Sequence, residues 1–468
     1  MAKYDLIVIG AGPGGYPAAI RAAQLGASVA LIEKEALGGV CLNWGCIPTK
    51  TLISGASLYG QLRQAERFGI QTGKITFDYA SMQRNKEAVV AKLQAGLAAL
   101  IKANGIALHT GRAVFLGRNR LAVHPPQGAP STLEGARTII ATGAVSFLPS
   151  WLPASPRIVD SRAFLDLPQL PRSLIVLGGG VIGTELACLA AQLGVQVTII
   201  ELLEDILLTL DTDLRATLRR HMERELKIRI LTGTAAKEVL SEADKITLKT
   251  AQETFSAELL LVATGRRPQT QALELKQAGV QPDPQGFIAV DESGQTAAAT
   301  IYAVGDVTGG VQLAHAATAQ GIAAAEHALA QRPPARPALV PSCIFTAPEI
   351  GTVGLTEKEA QEQQRAVRSG KFPFQALGRA LAAGETQGFV KLIVDAKSDQ
   401  ILGAQVIGLQ ATELIAEATT AIQAELTARE LGSTIHAHPT LAEAWMEAAR
   451  AVHGACIHAA PQRSKHPQ

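Results

Sequence analysis

The stretch Leu6-Ile-Val-Ile-Gly10-Ala-Gly12-Pro-Gly-Gly15 decides the fold. Consecutive apolar residues predict a strand over 5–9, and the glycines after it predict a tight turn opening an Ala-rich helix to Leu25. A second strand is expected over 28–32, ending in Glu33. In such a βαβ unit Gly10 permits the turn, Gly12 lets a backbone approach a pyrophosphate, and Gly15 lets helix pack on strand. The phosphates then meet a helix N-terminus. Glu33, 23 positions after Gly10, is placed to accept hydrogen bonds from ribose hydroxyls.

The pattern returns 168 positions later: a strand over 174–177, Gly178-Gly-Gly180-Val-Ile-Gly183, a helix to Leu193, a strand over 197–200 and Glu201. One glycine-rich turn is common, but two in full strand–helix–strand context, each with its acid at equal spacing, mark a repeat. Each half also runs through an apolar strand to Ala-Thr-Gly, at 141–143 (with Thr142 and Gly143) and at 263–265 (with Gly265). From Gly15 to Gly143 is 128 residues and from Gly183 to Gly265 is 82, so the first half carries 46 more. Downstream lie a strand-like stretch over 301–304, Gly305-Asp306, and a Pro-rich linker Gln331-Arg-Pro-Pro-Ala-Arg-Pro. Strand patterns (388–394, 401–407) then mix with helical ones (411–424, 442–451), and the polar stretch 459–468 is expected to fray.

At 468 residues the chain can bury several cores, and 4% aromatic residues beside 43 glycines suit an α/β enzyme rather than aromatic-rich packing. Lys and Arg number 43 against 41 Asp and Glu, which argues against nucleic acid as a partner. No apolar run approaches the roughly 18–20 residues of a membrane span, and the start enters a strand without a targeting pattern, so a cytoplasmic location is expected. Five cysteines are too few for a stapled secreted scaffold.

Two of those cysteines fall in the extra segment, in Gly38-Gly-Val-Cys41-Leu-Asn-Trp-Gly-Cys46-Ile-Pro48-Thr-Lys50. Positions five apart on a regular helix are about 140° apart, so bridging them requires a distorted helical start, which Gly45 and Pro48 suit. A helix N-terminus and a nearby ammonium such as Lys50 would favour thiolate over thiol. Two reduced, buried cysteines that never bridge are the alternative; the position between two dinucleotide fingerprints favours redox chemistry. Cys188 and Cys343 read as core residues, and Cys456 stands alone near the C-terminus.

These motifs, together with Ala303-Val-Gly-Asp306-Val, Gln312-Leu-Ala314-His315, Pro341-Ser-Cys-Ile-Phe-Thr-Ala-Pro348-Glu349, Gly384-Glu-Thr-Gln-Gly-Phe-Val-Lys391 and His436-Ala-His438-Pro439-Thr440-Leu-Ala-Glu443, resemble the class I pyridine nucleotide–disulfide oxidoreductases over nearly the whole chain. The pattern is most similar to the lipoamide-oxidising members. Two residues depart from the usual motif: Val40 replaces a commoner Thr, and Trp44 is large for its slot. The resemblance implies an α/β fold with two Rossmann-like dinucleotide-binding domains, for FAD and NAD, and a C-terminal α+β dimerisation domain. Its boundaries would be 1–147 for FAD with the redox disulfide, 148–270 for NAD, 271–338 completing the FAD site, and 339–468 for the dimer interface.

It also implies roles. Asp306 would bind the ribityl-phosphate region, Ala113 in Gly111-Arg-Ala113 would contact adenine, and Lys50, paired with Glu185, would lie near the reactive flavin nitrogen. Cys41 would be the interchange sulfur and Cys46 the one beside the flavin. A thiol of pKa about 8.5 is only about 3% thiolate at pH 7, so a base is useful. His438, oriented by Glu443 and supplied by the opposite subunit of a homodimer, would be that base. Dihydrolipoamide would then reduce the disulfide, and electrons would pass through FAD to NAD+.

The expected partners are the lipoyl domains and acyltransferase core of 2-oxo acid dehydrogenase complexes, or the glycine-cleavage lipoyl protein. Glu201 and the acidic Leu202-Leu-Glu204-Asp205 favour NAD over NADP, whose 2′-phosphate would want arginine. Glutathione-reducing members use NADPH, and relatives with a second C-terminal cysteine pair need more than Cys456. NADH oxidase or diaphorase activity, a role in docking alone, and a metal or merely structural role for His436-Ala-His438 are the other readings.

Overall fold

The structure, a computed structural model, describes residues 2–330, 332 and 339–460. Apart from Arg332 the Pro-rich linker falls outside the described residues, as does the C-terminal stretch from 461. The chain divides into two compact units, Met1–Pro171 with Leu261–Ala338, and Arg172–Leu260 with Leu339–Gln468.

In the first unit the strand Ala2–Ile9 lies between Val29–Glu33 and Ser131–Ile140, parallel to both. Ala107–Thr110 extends the parallel sheet on one side and Ile301–Ala303 on the other. Leu6 and Val8 join one buried cluster, with alanines of the helices Gly15–Gln24 and Ala314–Ala330; Ile7 and Ile9 join another, with Phe115, Leu121 and Leu275. Burial on both faces is why the strand reads as an unbroken apolar run. The two helices pack closely because their contact residues are small: a Cβ on Gly321 would lie 2.1 Å from the Gly14 carbonyl oxygen.

Ser131–Ile140 serves two arrangements at once. Its first residues close an antiparallel meander with Arg120–His124 and Arg112–Gly117, while from Leu133 onward it pairs in parallel with Ala2–Ile9. The additional residues of the first half are mainly helical, forming Gly39–Trp44, Cys46–Leu62 and Tyr79–Ala103.

The second unit repeats the theme. Gln196–Ile200 is parallel to Ser173–Leu177 and Arg229–Leu231, and the helix Val181–Gln192 follows the second glycine loop. A separate antiparallel meander, Glu238–Ser241, Ile246–Lys249 and Thr254–Ala257, follows. The C-terminal part is a five-stranded antiparallel sheet with helices Ala411–Gln423 and Glu443–Ala451, its core built on Phe372, Phe374 and the fully buried Trp445.

Inside this unit Lys391, 3% exposed, meets Asp211 at 2.8 Å, Asp213 at 2.9 Å and Glu357 at 3.5 Å. Burial alone would lower the Lys391 ammonium, but these carboxylates outweigh it and hold it above its ordinary value. Gln405 donates a further hydrogen bond to Asp211 at 2.8 Å. Observed element ends differ from those expected from sequence by one to three residues, as at Ala2–Ile9 for 5–9 and Glu443–Ala451 for 442–451. Frayed ends carry the weakest sequence signal.

Candidate functional site

Both glycine loops are built by the same hydrogen bonds. Gly10, at φ 99°, donates to the Ile32 carbonyl at 2.8 Å, and Gly178, at φ 109°, donates to the Ile200 carbonyl at 2.9 Å. A Cβ on Gly15 would lie 1.8 Å from the Gly10 oxygen, and one on Gly183 would lie 2.1 Å from the Gly178 oxygen, so neither tolerates a side chain. Gly12 and Gly180 stand beside the starts of the helices Gly15–Gln24 and Val181–Gln192, neither of which has an acid in its first turn. An anion therefore meets free N–H dipoles and no repelling carboxylate there.

The two acids are also held alike. Glu33 accepts from the Ala11 and Glu35 amides, each at 2.8 Å; Glu201 accepts from the Gly179 amide at 2.5 Å and the Leu203 amide at 2.7 Å. Each carboxylate oxygen is thus fixed by one backbone donor and keeps lone pairs for a hydroxyl.

In the first unit the expected residues gather at the carboxyl ends of the parallel strands, where open α/β sheets bind ligands. Gly111 donates to the Glu33 carbonyl at 2.8 Å, which brings Gly111-Arg-Ala113 beside Glu33; Ala113 itself is buried. Ala141 donates to Ile9, and Thr142 is cross-linked to Gln269 by two hydrogen bonds of 2.8 and 3.1 Å. Gly143 follows with φ 66°, and Gly265, which ends the second Ala-Thr-Gly, has φ 140°. Val304 donates to Ile140, which carries the chain into the turn Gly305–Thr308 with Asp306, a short distance before Ala314 opens its helix.

Arg266 donates to the Ala144 carbonyl at 2.6 Å and to Asp306 at 3.2 Å, while its buried Nε has no protein acceptor. Buried donors are rarely left so. A polar ligand along this edge would satisfy it, and the glycine loop, Glu33 and Asp306 suit a flavin dinucleotide.

The cysteine pair sits on a broken helix. Gly39–Trp44 stops at Gly45, with φ −137° and ψ −107°, and Cys46 opens the 17-residue helix Cys46–Leu62. The break brings the two Cα atoms to 4.6 Å, and Cys41 and Cys46 are joined as a disulfide. Cys46 lies at a helix N-terminus, with Lys50 one turn on, so a thiolate is favoured when the bridge opens. Both cysteines are half-buried, so burial does not separate their roles.

Asn43, between them, donates to the Leu37 and Gly39 carbonyls at 3.0 and 2.8 Å and accepts from Gln94 on the helix Tyr79–Ala103. The departing residue Trp44 stacks under the Arg162 guanidinium at 3.9 Å, and Arg162 pairs with Glu35 at 2.8 Å. Gln94 and Arg162 lie far along the chain from the motif, and nothing in its spacing points to them.

The three other thiols differ. Burial pushes Cys188 up to about 12, which leaves it inert near neutrality. Cys343 packs against the C-terminal core and donates to the Thr412 carbonyl. Cys456 is not alone: burial and Glu447, 3.0 Å away, raise its thiol.

In the second unit His438 is 75% exposed and its Nδ1 lies 2.9 Å from Glu443. Glu443 opens the helix Glu443–Ala451 and also accepts from the Thr440 amide at 2.8 Å. Burial works to raise its carboxyl, but the Thr440 N–H and the His438 ring prevail and hold it below the ordinary value.

His436 turns elsewhere, its Nε2 to Glu417 at 2.6 Å and its Nδ1 to the Thr434 carbonyl at 3.0 Å. The two histidines thus serve different carboxylates. Among the described residues no group of three His, Cys, Asp or Glu side chains is arranged to hold a metal ion, and no helix is long and apolar enough to cross a membrane. Glu185, on Val181–Gln192, accepts from the Phe345 amide at 2.8 Å; it and Lys50 belong to separate units.

The sequence around Glu201 shows acid and no arginine, yet the fold brings arginine there. Asp205 meets Arg215 at 2.6 Å and Arg219 at 3.2 Å, both from the helix Thr212–Arg224.

Residues 4–321 match the family model described as pyridine nucleotide-disulphide oxidoreductase, and residues 340–449 match its dimerisation domain. A dihydrolipoyl dehydrogenase of Bacillus subtilis is 41% identical, over 97% of this chain and 99% of its own. One from Thermus scotoductus is 43% identical, over 98% and 99%. Among solved structures, LpdA of Mycobacterium tuberculosis aligns with a TM-score of 0.89 at 29% identity, covering 96% of this chain and 99% of that one. The HOCl-induced flavoprotein disulfide reductase RclA of Escherichia coli gives 0.86 at 28%, covering 95% and 99%.

Proposed function

The chain belongs to the pyridine nucleotide-disulphide oxidoreductase family, and from that premise we propose that it is a dihydrolipoyl dehydrogenase, oxidising dihydrolipoamide to lipoamide with NAD+. The observation that carries this reading is the Cys41–Cys46 disulfide at a helix start in a chain with two complete dinucleotide fingerprints. FAD would be held at the first and NAD at the second. When bound, FAD takes the electron pair from the dithiol and gives it up as hydride to NAD+.

The protein's own residues do the rest. His438 takes the proton from a substrate thiol, and Glu443 fixes the ring's tautomer and stabilises the imidazolium. The substrate thiolate attacks Cys41 and displaces Cys46 as thiolate, which the helix N-terminus and Lys50 stabilise. The second substrate sulfur then attacks the first, releasing lipoamide and leaving Cys41 reduced. Asp306 and Glu33 would hold the flavin dinucleotide, Ala113 would lie toward its adenine, and Glu201 would accept from the ribose 2′-hydroxyl of NAD.

Residues 340–449 form the dimerisation domain. The assembly we infer is a homodimer in which each His438 serves the partner's disulfide, with Lys50 paired to Glu185 and the domain limits at 147, 270 and 338. The dihydrolipoyl group would arrive on the lipoyl domains of a 2-oxo acid dehydrogenase or glycine-cleavage complex, in the cytoplasm.

The test is NAD+ reduction by dihydrolipoamide with the FAD-loaded protein. Turnover by the native chain that is lost in Cys41→Ser, with FAD retained, is expected. Full activity in that variant would remove the disulfide from the reaction.

A further inference from the structure

The segment after Glu201 is tied down on both sides. Leu203 donates to Glu201, Gly233 donates to the Leu203 carbonyl at 2.6 Å, and Leu207 donates to the Gly179 carbonyl at 3.1 Å. Asp205 lies within this segment. Arg215 and Arg219, one turn apart on Thr212–Arg224, both reach it: Arg215 Nη1 is 2.6 Å from one oxygen and Arg219 Nη1 is 3.2 Å from the other.

Arg219 Nη2 also donates to the Ile230 carbonyl at 3.3 Å, while the neighbouring Leu231 carbonyl accepts the Glu201 N–H at 2.8 Å. Through Asp205 both guanidinium groups are held on the segment that leaves Glu201. Arg215 Nε is taken up by the Leu210 carbonyl, and Arg219 Nε by Glu223, each at 3.0 Å.

We propose that Asp205 determines cofactor choice indirectly, by engaging Arg215 and Arg219 so that a 2′-phosphate meets the Glu201 carboxylate without a cation to offset it. The proposal rests on the reading that NAD occupies the second fingerprint. Arginine is the side chain best matched to a phosphate, through its planar fork of donors. An enzyme carrying two of them next to its ribose site would otherwise lean toward NADP. Asp205 neutralises them, while Glu201 supplies the repulsion, which is specificity by disfavouring the wrong ligand as well as favouring the right one. Asp205 touches no cofactor in this account and is a positioning residue.

An anchoring role alone would affect both cofactors alike, which gives the test its form. In Asp205→Asn, of the same size and without the charge, kcat/KM for NADP+ relative to NAD+ is expected to rise about tenfold. The gain should lie in the KM for NADP+, with kcat and FAD content unchanged. Adding Arg215→Gln together with Arg219→Gln should cancel the gain, and Asp205→Glu should keep the native ratio; Asp205→Ser serves as the independent variant should the Asn form not fold. An unmoved ratio, a parallel loss with both cofactors, or a gain that survives loss of both arginines overturns the proposal. Native protein that prefers NADP+ would instead overturn the reading beneath it.

Discussion

The two fingerprints, 168 positions apart, are the same object down to individual hydrogen bonds, and what surrounds them differs. Ala11 and Glu35 hold Glu33 as Gly179 and Leu203 hold Glu201. After the first acid the chain turns through Gly39, whose Cβ would sit 2.7 Å from the Gly12 Cα, and enters the helix that carries Cys41. After the second, Ile206 lies over Gly179 and the chain passes into an ion-paired loop with no redox group. A shared scaffold thus binds dinucleotides twice, and the chemistry resides in what was added to one copy.

The sharpest way to break this contrast is Cys41→Ser, which should lower lipoamide turnover at least about a thousandfold with flavin content intact. Visible absorbance measured beside the assay checks both. Next, Glu443→Gln should cost about a hundredfold in kcat/KM for dihydrolipoamide by leaving His438 without its charged partner. NADH-dependent ferricyanide reduction, which bypasses the base, should stay near native. The Glu443 carboxyl lies below its ordinary 4.5, so it stays ionised at every pH above that value and protonates only as pH falls further. The pH profile of turnover between about 5.5 and 8 should therefore carry no step that belongs to Glu443; a step there with the near-zero ionisation enthalpy of a carboxyl would contradict this.

Equivalent glycines give a paired test of intermediate size. Gly15→Ala should strip flavin from purified protein, whereas Gly183→Ala should raise KM for NAD+ about tenfold or more with flavin retained. Loss of flavin in both would mean that the two loops do not divide the cofactors. The smallest effect is expected from Glu201→Gln, a KM increase for NAD+ of about three- to tenfold, since the neutral amide still accepts and forfeits only about half of a charge-assisted hydrogen bond, about 1 kcal/mol.

Much of this was legible because the relevant signals are local. Glycine spacing, an unbroken apolar strand and an acid at its end each reflect contacts within some 30 residues, so the βαβ units and Glu33 and Glu201 follow from the sequence. The distorted start at Gly45 was legible for the same reason. Long-range pairings were not: Gln94 on Asn43, Arg162 over Trp44, Arg266 on Asp306 and Gln269 on Thr142 join segments that no periodicity connects. The absence of arginine near Glu201 in sequence was misleading, because one turn of helix returns Arg215 and Arg219 to the loop. Cys456, without partner in the sequence, proves to be engaged by a carboxylate nine residues earlier.

Lys391 has a consequence for anyone wishing to cut the molecule. The dimerisation domain begins, by family match, at residue 340, yet this buried ammonium finds two of its three counter-charges at Asp211 and Asp213. A fragment excised at the family boundary would leave that cation with Glu357 alone, at 3.5 Å, and would leave Asp211 and Asp213 without it in the remainder. The domain is a unit of ancestry but not a detachable part.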